Sequence, residues 1–328
     1  MEKINLFDLK SLEDLRAVHF RYIDKMMESK DREDLWEEVN CPICQSGIGI
    51  TTLYLDGMIY DSCPCGCIFN TPQLTVDLSK EYDLYRQKLV KSDGLRKQLN
   101  QAKYEQINSY FKWKGKYLDV GCGNGQLVDI FHDNNWIAEG VDPLLNEKFE
   151  DYRTNTSFDC ISFFGVLEHV NNPLYLLKKA LSYLNRKGIM VIEVPNADSF
   201  LMRYIQETKF SPYRFIEHTR HLSFWSRKTI DYICNQFDLE IVDLKTVGFD
   251  LQTIFLSDDR KYMICQDILN NQNMADHWRI FLKKRRENVH YRNSACESTV
   301  GTFGSEESKT IQWSTPLCPQ TQTDGGYL

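Results

Sequence analysis

Apolar and polar residues alternate along the middle of the chain in blocks that predict strands and helices in turn. Apolar runs of strand length occupy residues 116–120, 137–141, 158–164 and 188–194. Between them, apolar residues recur at helical spacing, as in the segments 126–131 and 172–184. A strand followed by a helix and another strand is the pattern of a parallel sheet covered by helices. The central region therefore predicts an α/β fold with a doubly wound, mostly parallel sheet.

The remaining residues divide into shorter segments by composition. At the N-terminus, one helical face collects the apolar residues Leu12, Leu15, Val18, Tyr22 and Met26. The far end is rich in Ser, Thr, Gln and Gly and shows little periodicity. The predicted order is a helical segment at 1–40, a cysteine module at 41–75, a helical linker or lid at 76–112, the α/β domain at 113–256, a helical extension at 257–290 and a disordered tail at 291–328.

Three glycines separate the first strand of the α/β domain from its first helix. Gly121, Gly123 and Gly125 form this turn, where backbone without side chains can approach a bound ligand closely. Seventeen residues after Gly125, the second strand ends in Asp142, a carboxylate at the place where a nucleoside ribose presents its hydroxyls. The turn and the carboxylate together predict a ligand that contains adenosine.

The glycine spacing and a preceding acid argue against a dinucleotide. The sequence is G-x-G-x-G rather than G-x-G-x-x-G, and Asp119 stands two positions before the first glycine. An acid at the strand end opposes a pyrophosphate, whereas it suits a cationic sulfonium that carries an ammonium group. Only fifteen residues separate Asp142 from Phe158. The part of the pocket that would hold adenine is therefore abbreviated.

Five of the eleven cysteines lie close together. Cys41 and Cys44 form a C-x-x-C pair, and after a gap of eighteen residues Cys63, Cys65 and Cys67 follow at alternate positions. A module of about forty residues cannot build an adequate hydrophobic core, and tetrahedral thiolate coordination of zinc supplies the missing folding free energy. We predict a structural zinc ribbon whose second ligand pair is Cys63 and Cys67, the pair with the longer reach. Cys65 is the alternative ligand in that pair.

Charge and hydropathy argue against several classes of function. A net charge of −7 argues against a general nucleic-acid binder, which needs an excess of Lys and Arg to neutralise phosphates. No run of eighteen apolar residues occurs and the N-terminus is charged, so neither a membrane span nor a signal peptide is expected. Numerous thiols are typical of a reducing compartment. These features predict a cytoplasmic enzyme that acts without a membrane partner.

Four motifs, in the same order, resemble class I S-adenosylmethionine-dependent methyltransferases. They are LDVGCGNG at 118–125, GVD at 140–142, FDCISFFGVLEHV at 158–170 and IEVPN at 192–196. The resemblance covers residues 115–255 and implies a Rossmann-like domain that binds S-adenosylmethionine. It implies that Asp119 faces the methionine ammonium and that Asp142 accepts the ribose hydroxyls. The cofactor-binding residues that it implies are Asp119, Gly121, Gly123, Gly125, Asp142, Phe164 and Glu168.

Two further segments resemble bacterial methyltransferases of deoxysugars and cell-surface glycan precursors. They are the cysteine ribbon with CGCIFNTP at 65–72 and the run HTRHLSFWS at 218–226. The resemblance implies a small-molecule acceptor such as a nucleotide-linked sugar, with His221 as the catalytic base and His218 in support. Arg220 occupies the place of that family's glutamate, so the base assignment rests mainly on His221. The residues after Asn288 are not expected to form the third, C-terminal module of that family.

Two alternative functions stay open at this point. Ribosomal RNA methyltransferases also carry N-terminal cysteine ribbons, although the net charge of −7 disfavours binding to RNA. The abbreviated adenine region and the missing third module are compatible with a subunit that binds S-adenosylmethionine without catalysing transfer.

Overall fold

The computed structural model describes residues 36–55, 58–74, 93–143, 145–210, 212–217, 220–248, 250–255 and 260–285. These residues belong to one unit of the chain. Three predicted segments lie wholly or partly outside the described residues: residues 1–35 of the helical segment predicted at 1–40, residues 76–92 of the linker or lid predicted at 76–112, and the tail predicted at 291–328. The last part of the predicted N-terminal helical segment is described, and the prediction is wrong there, because Trp36–Glu37 is a strand.

In chain order the strands are β1 (Trp36–Glu37), β2 (Ile50–Leu55), β3 (Met58–Ser62), β4 (Ile68–Asn70), β5 (Gln73–Leu74), β6 (Lys116–Val120), β7 (Ile137–Val141), β8 (Phe158–Phe164), β9 (Leu184–Pro195), β10 (Ser223–Phe224), β11 (Leu239–Val247) and β12 (His277–Lys284). The helices are α1 (Asp93–Asn108), α2 (Gln126–Asp133), α3 (Pro173–Tyr183), α4 (Phe200–Thr208), α5 (Tyr213–Ile216), α6 (Arg227–Gln236), α7 (Asp250–Phe255) and α8 (Arg260–Asn271). Across the described ranges, none of these helices combines the length and the hydropathy that a membrane span requires.

A six-stranded sheet forms the centre of the fold, in the order β11-β12-β9-β8-β6-β7. Strands β7, β6, β8 and β9 are parallel, and β12 pairs antiparallel with both β9 and β11. The carboxyl ends of the parallel strands therefore meet at one edge, where the loops after β6, β7 and β8 are neighbours. The prediction of a mostly parallel α/β sheet is confirmed.

Side chains on the two faces of the sheet belong to two separate apolar clusters, which explains the continuous apolar runs of the strands. In one cluster, Tyr117 of β6 stacks on Phe131 of α2 with ring centroids 3.6 Å apart. The neighbouring residue Leu118 belongs to the other cluster, together with Leu177 of α3. Because successive side chains of a strand point to opposite faces, one apolar run supplies both clusters.

The prediction of a helical extension at 257–290 is wrong in its second half. Residues 260–271 form α8, but His277–Lys284 is strand β12, which lies between β9 and β11 in the main sheet. The α/β domain therefore extends past its predicted end at 256. In β12, Trp278 and Ile280 are buried. The residue before each of them is partly buried, whereas the two apolar residues after Ile280 are buried as well. The segment forms a strand despite this mixed pattern, because β9 and β11 offer backbone hydrogen-bond partners on both sides.

Shortening Phe281 in β12 is expected to destabilise the protein strongly. Phe281 has no exposed surface and stacks on Tyr110 at 4.6 Å between ring centroids. Phe281→Ala should lower the free energy of unfolding by about 3–5 kcal/mol, because it leaves a cavity in the core. Urea unfolding measures this. As a control, Ile137→Ala removes an apolar side chain that is 60% exposed, and its effect should stay within about 0.5 kcal/mol. Equal effects of the two variants would contradict a central position for β12.

The cysteine segment builds a second sheet together with residues from far along the chain. This sheet has the order β10-β4-β3-β2, and Ser223 of β10 pairs with Phe69 of β4. Cys41 and Cys63 share a core cluster with Trp225, which follows β10. The predicted ribbon at 41–75 is therefore packed against the α/β domain through β10 and the residues around it.

Candidate functional site

The turn between β6 and α2 has a backbone conformation that favours glycine. Gly121, Gly123 and Gly125 have φ angles of 75°, 61° and 80°, in the left-handed region where a Cβ is strained. A Cβ at Gly121 would also lie 2.3 Å from Cγ2 of Val166. A Cβ at Gly125 would meet no atom within 4 Å. The turn is thus tightly packed at Gly121 and open at Gly125, where a ligand can approach it.

Asp142 follows β7 and contacts this turn. The Gly123 N–H donates a hydrogen bond to Asp142 Oδ2 at 2.9 Å, and the Asp142 N–H donates to Asn146 Oδ1 at 3.0 Å. The Asp142 side chain is buried. A carboxylate has about four acceptor positions, so this group can hold the turn and also accept hydrogen bonds from a ligand. The structure brings Asp142 and the glycine turn together, because they follow neighbouring parallel strands.

Asp119 is buried near the end of β6. The Ser162 hydroxyl of β8 donates to its Oδ1 at 2.6 Å. Burial raises the pKa of Asp119 to about 6, although the hydrogen bond from Ser162 and the charge of Lys103 lower it. A bound cation such as an ammonium group would favour the ionised carboxylate further.

Phe164, the last residue of β8, lies beside charged groups that no sequence motif indicated. The Lys103 ammonium is 4.2 Å from its ring centroid and 3.7 Å from Glu193 Oε1. Arg279 Nε donates to Glu193 Oε2 at 2.7 Å. Burial alone would raise the pKa of Glu193, but the charges of Arg279 and Lys103 lower it to about 2. These residues come from α1, β9 and β12, so only the tertiary structure brings them together.

Glu168, His169 and His221 form a cluster just beyond the end of β8. Their potential ligand atoms all lie within 4.8 Å of one another. Glu168 Oε1 is 3.9 Å from His169 Nε2, and the two imidazole centroids are 4.8 Å apart. The Leu222 N–H donates to the Glu168 backbone carbonyl at 2.7 Å, which ties the two segments together. His218, the predicted helper of His221, lies outside the described residues.

Backbone carbonyls orient both imidazoles in this cluster. His169 Nδ1 is 2.8 Å from the carbonyl oxygen of Arg220, and His221 Nδ1 is 2.7 Å from that of Phe215. Burial lowers the pKa of His169 to about 3, and the neighbouring His221 lowers it further. Burial raises the pKa of Glu168 to about 8. His169 is therefore neutral at pH 7, with a lone pair on Nε2.

A known protein family matches the segment that contains these residues. Residues 92–244 match the family model described as a methyltransferase domain. The match includes the glycine turn, Asp142, Glu168 and His221. This match supports an S-adenosylmethionine-dependent methyltransferase domain in that part of the chain.

Individual known proteins are similar to this methyltransferase domain at low identity. An uncharacterised protein of Methanocaldococcus jannaschii is 26% identical over 147 residues, which cover 38% of this chain and 72% of the relative. The plantazolicin methyltransferase BpumL, solved with a monoazolic desmethylPZN analog and SAH, has a TM-score of 0.42 and 19% identity, and the match covers 62% of this chain and 92% of BpumL. A SAM-dependent methyltransferase from Archaeoglobus fulgidus has a TM-score of 0.38 and 18% identity, with coverage of 57% and 94%.

Four cysteines gather beside the methyltransferase domain, and they differ in one member from the predicted set. The thiols of Cys41, Cys44, Cys63 and Cys65 lie within 4.8 Å of one another. The predicted ligand Cys67 is not in this group, and its thiol donates to the Ile68 carbonyl at 3.5 Å. A tight turn explains the difference, because the Gly66 N–H donates to the Cys63 carbonyl and Gly66 has a φ of 92°. Cys65, the predicted alternative, therefore joins Cys63.

The thiol geometry matches a tetrahedral metal site. Cys41 Sγ is 3.6 Å from Cys65 Sγ, and Cys44 Sγ is 3.2 Å from Cys63 Sγ. Four sulfurs around one zinc ion, each with a bond of about 2.3 Å, lie about 3.8 Å apart. Burial raises the pKa of the Cys63 thiol to about 12. Thiolates in this position therefore require a cation, and the residues present are able to hold zinc.

Proposed function

We propose that this protein transfers a methyl group from S-adenosylmethionine to an oxygen or carbon atom of a small molecule, a sugar or a surface-glycan precursor. The observation that carries the proposal is the shared sheet edge. The glycine turn with Asp142 and the cluster of Glu168, His169 and His221 both lie there. Val166 connects them, since it contacts the turn at Gly121 and stands two residues before Glu168. A donor site and a proton-accepting site are thus neighbours.

In the donor site, the backbone of the glycine turn passes beneath the bound S-adenosylmethionine, and Asp142 accepts the ribose hydroxyls. Asp119 supplies negative charge toward the methionine ammonium. Phe164 at the end of β8 and Glu168 shortly after it lie on the ligand side of the same cleft. These assignments are supported by the open backbone at Gly125 and by the hydrogen bond between Gly123 and Asp142.

Transfer breaks the bond between sulfur and the methyl carbon and forms a bond between that carbon and the acceptor, which loses a proton. Holding the two reactants in line contributes about 7–11 kcal/mol. A general base contributes ~10²–10⁴-fold in rate. A sugar hydroxyl, or a carbon next to a ketone, becomes a nucleophile only when its proton is removed. Such an acceptor therefore needs a general base as well as positioning.

We assign this proton to His221. Its Nδ1–H donates to the Phe215 carbonyl at 2.7 Å, which makes Nε2 the basic nitrogen. In the simplest form of the proposal, Nε2 takes the proton directly, and His218 assists. Arg220, beside His221 in the chain, forms an ion pair with Glu217 at 3.0 Å.

Additional features support the proposed acceptor class, the proposed metal and the proposed compartment. The ribbon and the segment 218–226 resemble sugar methyltransferases, and the net charge of −7 weighs against ribosomal RNA. One zinc ion is bound by Cys41, Cys44, Cys63 and Cys65. Its role is structural, because four thiolates leave no open position for catalysis. The cytoplasm is the proposed compartment, since its thiol pools keep such cysteines reduced.

A transfer assay tests the acceptor class. Purified protein is incubated with a labelled methyl donor and a panel of nucleotide-linked sugars, and in parallel with ribosomal RNA. We expect label in a sugar product and none in RNA. Label in RNA would contradict the sugar proposal. Donor binding without transfer to any acceptor would instead favour a non-catalytic subunit.

The variant His221→Gln is expected to lower kcat by about 10²–10⁴-fold with unchanged donor affinity, because proton removal is lost while positioning remains. Single-turnover kinetics with the identified acceptor, together with calorimetry of donor binding, measures both quantities. His132→Gln is the matched control, since His132 is exposed on α2. A decrease in kcat of less than a few-fold, or an equal loss of donor binding, would contradict the role of His221.

A further inference from the structure

The cluster of Glu168, His169 and His221 contains more than a single base requires. One imidazole is enough to accept a proton, but here two imidazoles and a carboxyl group converge, with their potential ligand atoms within 4.8 Å. Glu168 is 1% exposed. A buried carboxyl group next to two histidines needs a physical reason, because burying polar groups costs free energy unless they are paired.

Both imidazoles are held in the same tautomer. The carbonyl oxygens of Arg220 and Phe215 can only accept hydrogen bonds, so the Nδ1 atoms of His169 and His221 carry the hydrogens. Each Nε2 therefore carries a lone pair. Histidines that bind metals are oriented in the same way, with the remote nitrogen donating to a carbonyl or carboxylate and the other nitrogen bound to the ion.

The carboxyl group of Glu168 supplies an independent observation. Its Oε2 is buried and has no hydrogen-bond partner in the part of the chain that the structure describes. Its Oε1 lies 3.9 Å from His169 Nε2. An unsatisfied buried oxygen costs about 1–3 kcal/mol, and more when it is charged. A cation between Glu168 and the two imidazoles would satisfy this oxygen and favour the ionised carboxylate.

We propose that Glu168, His169 and His221 bind one divalent first-row transition-metal ion. Two borderline imidazole nitrogens together with one hard carboxylate oxygen suit manganese, iron, cobalt or zinc better than calcium or magnesium. Metal–ligand bonds of about 2.0–2.2 Å require only small movements of side chains that already lie within 4.8 Å. Three protein ligands leave coordination positions open.

The ion would give the proposed methyl transfer a way to activate its acceptor. This part of the inference rests on the proposed function. An acceptor hydroxyl that binds at an open position becomes more acidic, as metal-bound water does. Its proton leaves to solvent, its oxygen forms the bond to the methyl carbon, and the bond between carbon and sulfur breaks. His221 then acts by holding the ion, and the ion takes over the activation of the acceptor from the imidazole.

Manganese binding tests the site directly. The probe is Mn²⁺ alone, titrated into full-length protein that already carries one equivalent of zinc and followed by electron paramagnetic resonance. Thiolate sites select zinc, whereas Mn²⁺ prefers oxygen and nitrogen ligands, so the cysteine cluster should not compete. We expect one Mn²⁺ per chain. Glu168→Gln, His169→Gln and His221→Gln should each weaken binding by at least the roughly 10–100-fold that is typical for losing an outer-shell partner.

Controls separate a lost ligand from a lost fold. His132→Gln should bind Mn²⁺ like the unmodified protein, and His169→Gln and His221→Gln should still bind S-adenosylhomocysteine in calorimetry. No stoichiometric Mn²⁺ binding by the unmodified protein, or unchanged binding by all three cluster variants, would overturn the metal site. Methyl transfer by protein that binds no Mn²⁺ would overturn the metal site alone and leave His221 as the direct base. Failure to bind S-adenosylhomocysteine would count against the proposed function instead.

Discussion

Protein purified without chelator is expected to contain one zinc ion per chain, and serine at any of Cys41, Cys44, Cys63 or Cys65 should abolish it. Structural zinc in zinc-finger peptides contributes an apparent 10–16 kcal/mol, so loss of the ion should unfold the cysteine segment. The unfolding should reach the methyltransferase domain, because β4 pairs with β10 and the cysteines share a core with Trp225. Metal analysis and thermal unfolding measure the two effects.

Cys67→Ser is the matched control for the zinc site. Cys67 is buried like Cys41, Cys63 and Cys65, but its thiol donates to the Ile68 carbonyl. This variant should keep its zinc, whereas Cys65→Ser should lose it. The opposite result would restore the ligand pair predicted from spacing, Cys63 and Cys67. A metal-free unmodified protein would show that the cysteine cluster does not bind zinc.

Asp142→Ala is expected to weaken binding of S-adenosylhomocysteine by at least about 100-fold. Hydrogen bonds to a charged group contribute about 1.5–3 kcal/mol each, and two ribose hydroxyls would lose their acceptor. The same change frees the Gly123 N–H, which now donates to Asp142 at 2.9 Å. Gly123→Val should have a comparable effect, because it adds a side chain in ligand space at a φ of 61°. Isothermal calorimetry measures both affinities.

Asp129→Ala provides the control for donor binding. Asp129 is an exposed carboxylate in the first turn of α2, only a few residues from the glycine turn. It carries the same charge as Asp142 without contacting the turn through its side chain, so affinity should change little. Circular dichroism should show that all three variants keep the fold. Unweakened binding by both Asp142→Ala and Gly123→Val would contradict the assignment of the donor site.

For several elements the local sequence is sufficient to predict the position. The strands at 116–120, 137–141 and 158–164 and the helix near 172–184 have the predicted positions. Each carries its own signal, because a continuous apolar run or a helical repeat lies within the element. In contrast, residues 277–284 form a strand only where β9 and β11 offer hydrogen-bond partners, and a helix was predicted there.

The clustered cysteines illustrate the same difference at the scale of one turn. Spacing alone leaves Cys63, Cys65 and Cys67 as similar candidates. The turn at Gly66 directs the thiols of Cys63 and Cys65 toward Cys41 and Cys44, whereas Cys67 begins the path into β4. Which thiols lie together therefore depends on backbone direction, which spacing does not specify.

The sequence by itself determined the class of fold, the glycine turn and the carboxylate that contacts it. These features are local, since left-handed glycines and an acid after a strand are visible in neighbouring residues. Only the tertiary structure decided that Glu193, Arg279 and Lys103 surround Phe164, and that His169 and Glu168 meet His221. The physical reason is that the order of strands in the sheet decides which distant residues share its edge. No local pattern of side chains encodes that order.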